Sequence, residues 1–214
     1  MKNQSPWDLS IREFTERAGS AKATPGGGST SALAAALGSA MTSMAARLSH
    51  RERTSEQRAN IDIAEQEMTE IAAACERLMQ ADISSFAEYI EVSEKAESAE
   101  DESLLHAAKR TIQVPLELME IGVRGLNSAR GIAEATREHV LSDLGIGIVM
   151  FEAAVRSAYL TVRINLPACT DKRAREDYGD RADRLMFQAE RLKERALNEV
   201  MQALEQAAEQ QSET

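Results

Sequence analysis

The sequence is poor in the residues that build β-sheets. Aromatic side chains make up only 4% of the 214 residues, and the aromatic and β-branched residues that strands prefer are thin throughout. Ala, Leu, Glu, Met and Arg, which favour helices, are plentiful. We therefore predict an all-α fold.

Cysteine and histidine are equally scarce. The two cysteines, Cys75 and Cys169, form no CxxC motif, and the three histidines are scattered along the chain. These spacings cannot build a structural zinc site, so we expect no metal. The first ten residues contain no apolar stretch of the kind found in secretory signals. Together with the low cysteine content, this favours a reducing, cytoplasmic location.

Positive charge and long apolar runs are also lacking. The formal net charge is −10, which argues against a nucleic-acid-binding protein because such proteins need basic surface to neutralise phosphates. No stretch of about 18 residues is both charge-free and strongly apolar, so we predict no membrane span. The hydrophobic fraction of 43% indicates a folded core. We expect one domain over residues 1–214.

Helical spacing of apolar residues predicts six or seven helices with short connections. This pattern is typical of an antiparallel bundle, and we expect the bundle to form a homodimer. Pro115 falls inside one helical pattern, where it predicts a kink or a break. The first predicted helix begins at Ser5 and ends at Gly19. The second and third span residues 29–50 and 54–93, and the fourth begins near Ser98. A shorter helix lies within 122–139, the next spans 142–166, and the last is broken at Gly179.

The glycine-rich loop before the second helix is the first candidate for a binding site. Gly26, Gly27 and Gly28 would let the backbone approach a ligand closely and adopt positive φ, and the helix beginning at Ser29 would direct free N–H groups toward an anion. The loop is not a Walker A motif, because no GK[ST] follows it. The alternative interpretation is a tight turn between two helices.

Asp82 is the candidate catalytic residue. It lies on an apolar helical stripe with Met79 and Phe86, where burying a carboxylate is costly unless it is paired or hydrogen-bonded. Burial would raise its pKa and make it a better general base near neutral pH. A salt bridge between helices, or a stripe edge that reaches solvent, would account for it equally well.

Five further polar residues occur on or before the sixth predicted helix. Asn165 continues the apolar stripe, where its amide would orient a ligand or make a structural hydrogen bond. Ser142 and Asp143 precede the helix and would cap it. Arg156 and Arg163 lie seven residues apart on one face, where they would form exposed ion pairs or hold an anionic ligand tail.

These segments, taken in order, resemble those of a known family. The similar segments are TPGGGSTSALAAALGSAMTSMAARL at 24–48, the D-x-x-x-F pattern at 82–86, VPL at 114–116, SDLG at 142–145 and VRINL at 162–166. Their motifs and order resemble the formimidoyltetrahydrofolate cyclodeaminase and methenyltetrahydrofolate cyclohydrolase family. The resemblance implies an all-helical protein, usually homodimeric, that binds a tetrahydrofolate derivative, and it places the catalytic carboxylate at Asp82.

The resemblance also implies a reaction. We expect hydrolysis of 5,10-methenyltetrahydrofolate to 10-formyltetrahydrofolate, with no cofactor beyond the folate, because no formiminotransferase domain is fused to this chain. The glycine loop, Ser29, Ser142, Asp143 and Asn165 would position the pterin. Arg156 or Arg163 would meet the glutamate tail. The alternatives are ammonia release from formimidoyltetrahydrofolate and a non-catalytic folate-binding or scaffold protein.

Three positions depart from the family pattern. An Asn common before SDLG is absent at Thr136 and Arg137, an Asn common before VRINL is Thr161, and an Asp common two residues before Asp82 is Gln80. Because of these departures, the sequence does not identify the substrate. A member of the family that has lost catalysis would show departures of this kind.

Overall fold

The computed structural model describes residues 5–51, 53–98 and 101–212. Within these residues the chain forms six α-helices and no strand, which confirms the predicted all-α class. The helices are α1 (Ile11–Ala18), α2 (Gly27–Ser49), α3 (Ser55–Lys95), α4 (Glu102–Gly131), α5 (Leu141–Asn165) and α6 (Lys172–Ser212). Single 3₁₀ turns occur at Pro6–Asp8, Ala133–Ala135, Glu138–Val140 and Leu166–Ala168.

The four helices α2 to α5 run alternately up and down. Near the start of α2, Ser29 contacts Asp82 late in α3. Near the end of α2, Arg47 pairs with Glu65 early in α3. Similar contacts make α4 antiparallel to α3 and α5 antiparallel to α4. The predicted antiparallel bundle is therefore confirmed, with α6 packed along α4 and α5.

Helix α2 packs against α5 almost backbone to backbone. A Cβ on Gly38 would lie 3.0 Å from Cγ of Phe151 and 3.1 Å from the carbonyl oxygen of Gly147. Small residues at this crossing let two central helices approach closely, as the composition of α2 predicts. The crossing fixes the first turn of α2 relative to the end of α5.

The predicted start of the N-terminal helix needs correction. The first helix is not continuous from Ser5, because the 3₁₀ turn capped by Ser5 ends at Asp8. A new helix then begins after Ser10, whose hydroxyl accepts a hydrogen bond from the N–H of Glu13 while the Glu13 carboxylate accepts one from the N–H of Ser10. This capping box stabilises a separate start. The predicted end at Gly19 is confirmed.

Helix α4 also differs from the prediction. It is capped by Asp101, whereas the predicted start at Ser98 runs into residues 99–100, which lie outside the described residues. The helix continues unbroken through Pro115 as far as Gly131. The predicted break and the predicted shorter helix within 122–139 are therefore wrong.

The last helix is continuous through Gly179, contrary to the predicted break. Its narrow apolar stripe includes Ala182, Ala189 and Ala196, which are fully buried against the bundle. This stripe therefore packs within the chain, so it is not available as the subunit interface that its coiled-coil spacing would suit.

One segment, Glu138–Ala168, is long and apolar enough to cross a membrane when judged by length and composition alone. A single helix of this kind is weak evidence, since core helices of soluble proteins pass the same test. Nine residues of α5 are buried in the bundle core. The prediction of no membrane span stays a prediction.

Candidate active site at the first turn of the second helix

The carboxylate of Asp82 lies against the first turn of α2. The hydroxyl of Ser29 donates a hydrogen bond to Oδ2 of Asp82 at 3.2 Å, and the backbone N–H of Ser29 donates to the same carboxylate. Ser29 is fully buried and Asp82 is half-buried. Of the two predicted alternatives, the salt bridge is absent within the described ranges, whereas the stripe does reach solvent at this point, since Phe86 is 39% exposed.

Gly28 makes this contact possible. A Cβ on Gly28 would overlap the carboxylate of Asp82, so only glycine allows the side chain to lie on the backbone. The expectation of positive φ in the loop is wrong, because none of the described glycines has a positive φ. Glycine is required here for its missing side chain and not for backbone freedom.

Two opposing effects act on the pKa of Asp82. Burial of the carboxylate raises the pKa above its ordinary value, and the two hydrogen bonds from Ser29 oppose this rise. Burial is the larger effect, so the pKa is raised. A carboxylate of this kind, with access to a site, is suited to take up and return a proton.

The same helix end offers free hydrogen-bond donors. The N-cap residue of α2 is Gly26, which has no side chain with which to cap the helix. Among the described residues, no acceptor meets the N–H groups of Gly27 or Gly28. Such donors, together with the positive end of the helix dipole, favour a ligand oxygen.

The end of α5 forms a second wall of the site. The Oγ1 atom of Thr161 lies 3.4 Å from the position that a Cβ on Gly27 would take. The sequence marked Thr161 only as a departure from the family pattern. Its position against Gly27 could not be read from the chain, because the two residues are far apart in sequence.

Asn165 lies one turn beyond Thr161, but its side chain bonds to α4. Its Nδ2 atom donates to the carbonyl oxygen of Thr111 at 2.8 Å. Of the two predicted roles for this amide, the structural hydrogen bond is the one that the structure contains.

An apolar cavity of about 180 Å³ opens beside the site. Its lining includes Leu33, one turn after Ser29, and Met79, one turn before Asp82. Trp7, the single tryptophan of the chain, closes it from the N-terminal 3₁₀ turn. Sequence reasoning missed this contribution, although a lone tryptophan near an N-terminus was the available signal.

Ser142 and Asp143 are not close to Asp82 within one chain. They occupy the first turn of α5, whereas Thr161 marks the end of α5 that meets the site. The 18 residue steps from Asp143 to Thr161 span about 27 Å of helix. Ser142 and Asp143 are not caps either, since the N-cap is Val140 and no side chain among the described residues caps this helix.

Arg156 and Arg163 face α6. Arg156 donates to Glu152 on its own helix and to Glu190 on α6. Arg163 pairs with Asp183 on α6 at 3.6 Å. The structure thus gives both guanidinium groups carboxylate partners on the exposed side of α5 and does not bring them to Asp82.

The remaining groups suited to chemistry lie apart from this site. Cys75 is fully buried, and its burial raises the pKa of the thiol to about 12. Such a thiol is inert as a nucleophile. In the part of the chain that the structure describes, no three His, Cys, Asp or Glu side chains cluster as metal ligands would. Proton transfer by Asp82 is the chemistry that the site supports best.

Comparison with known proteins gives a consistent family assignment. Residues 10–184 match the family model described as formiminotransferase-cyclodeaminase. The chain is 32% identical over 188 residues to the formimidoyltransferase-cyclodeaminase of Gallus gallus, and the alignment covers 82% of this chain. It spans only 34% of the length of that relative.

Two similar proteins have nearly the same length as the matched region. A methenyltetrahydrofolate cyclohydrolase of Methylorubrum extorquens is 24% identical, with 86% of this chain and 92% of that protein covered. The crystal structure of a formiminotetrahydrofolate cyclodeaminase from Thermotoga maritima superposes with a TM-score of 0.84 at 20% identity. That alignment covers 91% of this chain and 97% of the other, and it shows a shared fold.

Proposed function

Because this chain belongs to the formiminotransferase-cyclodeaminase family, we propose that it acts on a one-carbon-substituted tetrahydrofolate and hydrolyses 5,10-methenyltetrahydrofolate to 10-formyltetrahydrofolate. The observation that carries this proposal is the Asp82 carboxylate, whose pKa is raised by burial and which is held by Ser29 beside free helix donors. The cyclohydrolase of similar length supports the choice of reaction.

The reaction needs a base and a positioned water more than a strong electrophile. The methenyl carbon bridges two nitrogens and already carries delocalised positive charge. In the proposed first step the water oxygen bonds to this carbon, and Asp82 takes the proton that the water loses. The product of this step is a carbinolamine bridging both nitrogens.

In the second step the bond from this carbon to N5 breaks. The carbinolamine hydroxyl releases its proton to solvent as the formyl C=O forms, and Asp82 returns its proton to N5. The free N–H groups of Gly27 and Gly28 are suited to hold the oxygen that becomes the formyl group. Overall, the methenyl cation and one water give neutral 10-formyltetrahydrofolate and one proton, so atoms and charge balance.

The apolar cavity is the proposed place for an aromatic ring of the folate. It lies one helical turn from both Ser29 and Asp82, and Trp7 supplies a flat face for stacking. A ring held there would bring its one-carbon group toward the first turn of α2. This orientation would use proximity, which is worth several orders of magnitude in rate.

Cyclodeamination of 5-formimidoyltetrahydrofolate is the second candidate. Its support is the name of the family model and of the structure from Thermotoga maritima. The same carboxyl group would serve: as N10 bonds to the formimidoyl carbon, the formimidoyl nitrogen takes up the N10 proton and one proton from Asp82, its bond to the carbon breaks, and it leaves as ammonia, which gives the methenyl cation.

The two reactions are distinguished by offering both substrates to the purified protein. Hydrolysis appears as accelerated loss of the near-ultraviolet absorbance of the methenyl compound, and deamination appears as ammonia release from the formimidoyl compound. We expect the first. Quenching of Trp7 fluorescence by folate without either turnover would instead indicate a binding protein, and no quenching or turnover would contradict a folate function.

The proposed homodimer would form through the exposed face that α2 and α5 share. Leu37 and Ile146 each precede a glycine of the α2–α5 crossing, and because these helices are antiparallel both side chains project to the same side. Leu48, Leu160 and Ile164 extend this exposed apolar face along both helices.

The low charge and the area of this face favour a second copy of this chain as the partner that covers it. Arg47 is the one charged residue of α2 and Asp143 lies in the first turn of α5, while Glu152, Arg156 and Arg163 on α5 lie toward α6. The face runs for about 35 Å along two helices, which amounts to roughly 600 Å² per copy. Two such faces reach the lower end of stable interfaces, and a charge-poor face suits self-association.

Light scattering after size-exclusion chromatography tests the dimer. Leu160→Glu, on this face, should give a monomer, whereas Ile63→Glu, equally exposed on α3, should leave the dimer intact. A monomeric wild type, or a dimer that both variants retain, would contradict this interface.

A further inference from the structure

The carbonyl group of Thr111 occupies an unusual position in α4. In a regular helix it would accept from the N–H four residues later, but that residue is Pro115, which has no N–H. Thr111 is buried, with 7% of its surface exposed, so water cannot readily replace the missing donor. An unpaired carbonyl here would carry the full cost of desolvation.

Asn165 supplies the missing donor from another helix. Its Nδ2 atom lies 2.8 Å from the Thr111 oxygen, and α4 continues without interruption through Pro115. Asn165 is the last residue of α5. The proline thus creates a backbone acceptor to which the end of α5 is attached.

This attachment bears on the site. Thr161 lies four residues before Asn165, one turn earlier on the same side of α5, and its hydroxyl lies against Gly27. The next residue, Gly28, has the Asp82 carboxylate on its backbone. The end of α5 therefore sets where the first turn of α2 rests against Asp82.

We propose that Asn165 is a positioning residue and does not contact the folate: its carboxamide replaces the N–H that Pro115 lacks, and so holds the end of α5 against α4 and beside the first turn of α2. The effect of Asn165 on catalysis rests on the proposed function. The pairing of Asn165 with the Thr111 carbonyl does not, and it can be tested without folate.

A double-mutant cycle on thermal unfolding tests the pairing. Asn165→Ala should lower Tm by about 3 to 10 °C, because it leaves a buried carbonyl unpaired. Pro115→Ala restores a backbone N–H, so the same change made in that background should lower Tm by less than half as much. Equal losses in both backgrounds would overturn the pairing. Asn127→Ala, on the exposed side of α4, is the matched control and should change Tm little.

Asn165→Asp gives a second measurement that keeps the shape of the side chain. A protonated carboxylic acid can donate to the Thr111 carbonyl, whereas an ionised carboxylate cannot and would repel it. The Tm deficit of this variant relative to wild type should therefore be small at low pH and grow as the new carboxyl ionises. A deficit that does not change with pH would overturn the proposed donor role.

Steady-state kinetics separate positioning from ligand binding. For Asn165→Ala we expect kcat to fall by on the order of tenfold to a hundredfold, with KM within about twofold of wild type. A raised KM with unchanged kcat would overturn the inference and make Asn165 a ligand contact. If the wild type turns over no folate, the unfolding cycle still decides the pairing, so the failure of the proposed function is distinguishable from the failure of this inference.

Discussion

The carboxylate of Asp82 rests on the backbone of Gly28, at a distance that no other residue type would allow. The two residues lie on different helices, 54 positions apart. Their contact explains why glycine occupies the first turn of α2, and it places a half-buried carboxylate at a helix end with free N–H donors.

Gly28→Ala should damage the site more than the fold. The added Cβ would displace the Asp82 carboxylate from Ser29, and we expect a loss of activity on the order of a hundredfold. The atoms that must move are the end of the Asp82 side chain, so the stability cost should be below the roughly 1–3 kcal/mol of an overpacked core. Activity and chemical denaturation measure the two effects.

Gly131→Ala is the matched control for this prediction. A Cβ at Gly131 meets no atom within 4 Å, so this substitution should keep full activity and leave stability unchanged or slightly improved. Full activity in Gly28→Ala would show that the carboxylate position is not set by this contact.

Asp82→Asn should stabilise the protein at neutral pH. Because burial raises the pKa of Asp82, the folded state prefers the protonated form. This contribution is complete below the unfolded pKa of about 3.9 and is lost as the pH rises through the folded value. The neutral amide escapes the loss, and its oxygen can still accept from Ser29.

The difference in Tm between Asp82→Asn and wild type should therefore be smallest at low pH and should grow as the pH rises. Each kcal/mol gained corresponds to about 2–4 °C for a chain of this size. Differential scanning fluorimetry across this range measures it. A variant that is less stable than wild type at neutral pH would contradict the assigned pKa direction.

Thr42→Val should be neutral or stabilising, although Thr42 is fully buried. Its hydroxyl has no hydrogen-bond partner among the described residues, so the folded state carries an unpaired polar group at the α2–α5 crossing. Replacing it with a methyl group of similar size removes up to about 1–3 kcal/mol of desolvation cost.

Thr136→Val is the comparison for this prediction. Thr136 is also buried, but its hydroxyl donates to the carbonyl oxygen of Ile132 at 2.8 Å. We expect this variant to lose about 0.5–1.5 kcal/mol. Equal losses in the two variants, measured by denaturant titration, would show that the Thr42 hydroxyl is paired in solution.

Local patterns predicted much of the fold. The start of α3 followed from Thr54, whose capping box with Gln57 is present, and the end of α1 followed from Gly19. The limits of α2 and α5 followed from glycine, proline and apolar spacing. These features depend on neighbours in the chain, so sequence is sufficient for them.

The errors arose where a distant residue decides the outcome. Pro115 does not break α4, because Asn165 on another helix satisfies the carbonyl that the proline leaves unpaired. The division of the first helix is a local exception, because Ser10 and the nearby Glu13 form a cap that competes with the cap at Ser5.

The site could be predicted only in part. The apolar stripe identified Asp82, and the glycine loop identified the helix end that it meets. The positions of Trp7, Thr161 and Thr111 relative to this pair are set by tertiary packing, and no spacing in the sequence indicates them. Asp143, by contrast, shares a helix with Thr161 but lies near its other end.

The most direct test of the account is the rate at which wild type and Asp82→Asn hydrolyse 5,10-methenyltetrahydrofolate above the spontaneous rate. Asp62→Asn, which changes an exposed carboxylate on the same helix, is the control. If Asp82 is the general base, its variant should lose about 10²–10⁴-fold in kcat while remaining folded, and the control should match wild type. Wild-type turnover that Asp82→Asn retains would contradict the central claim.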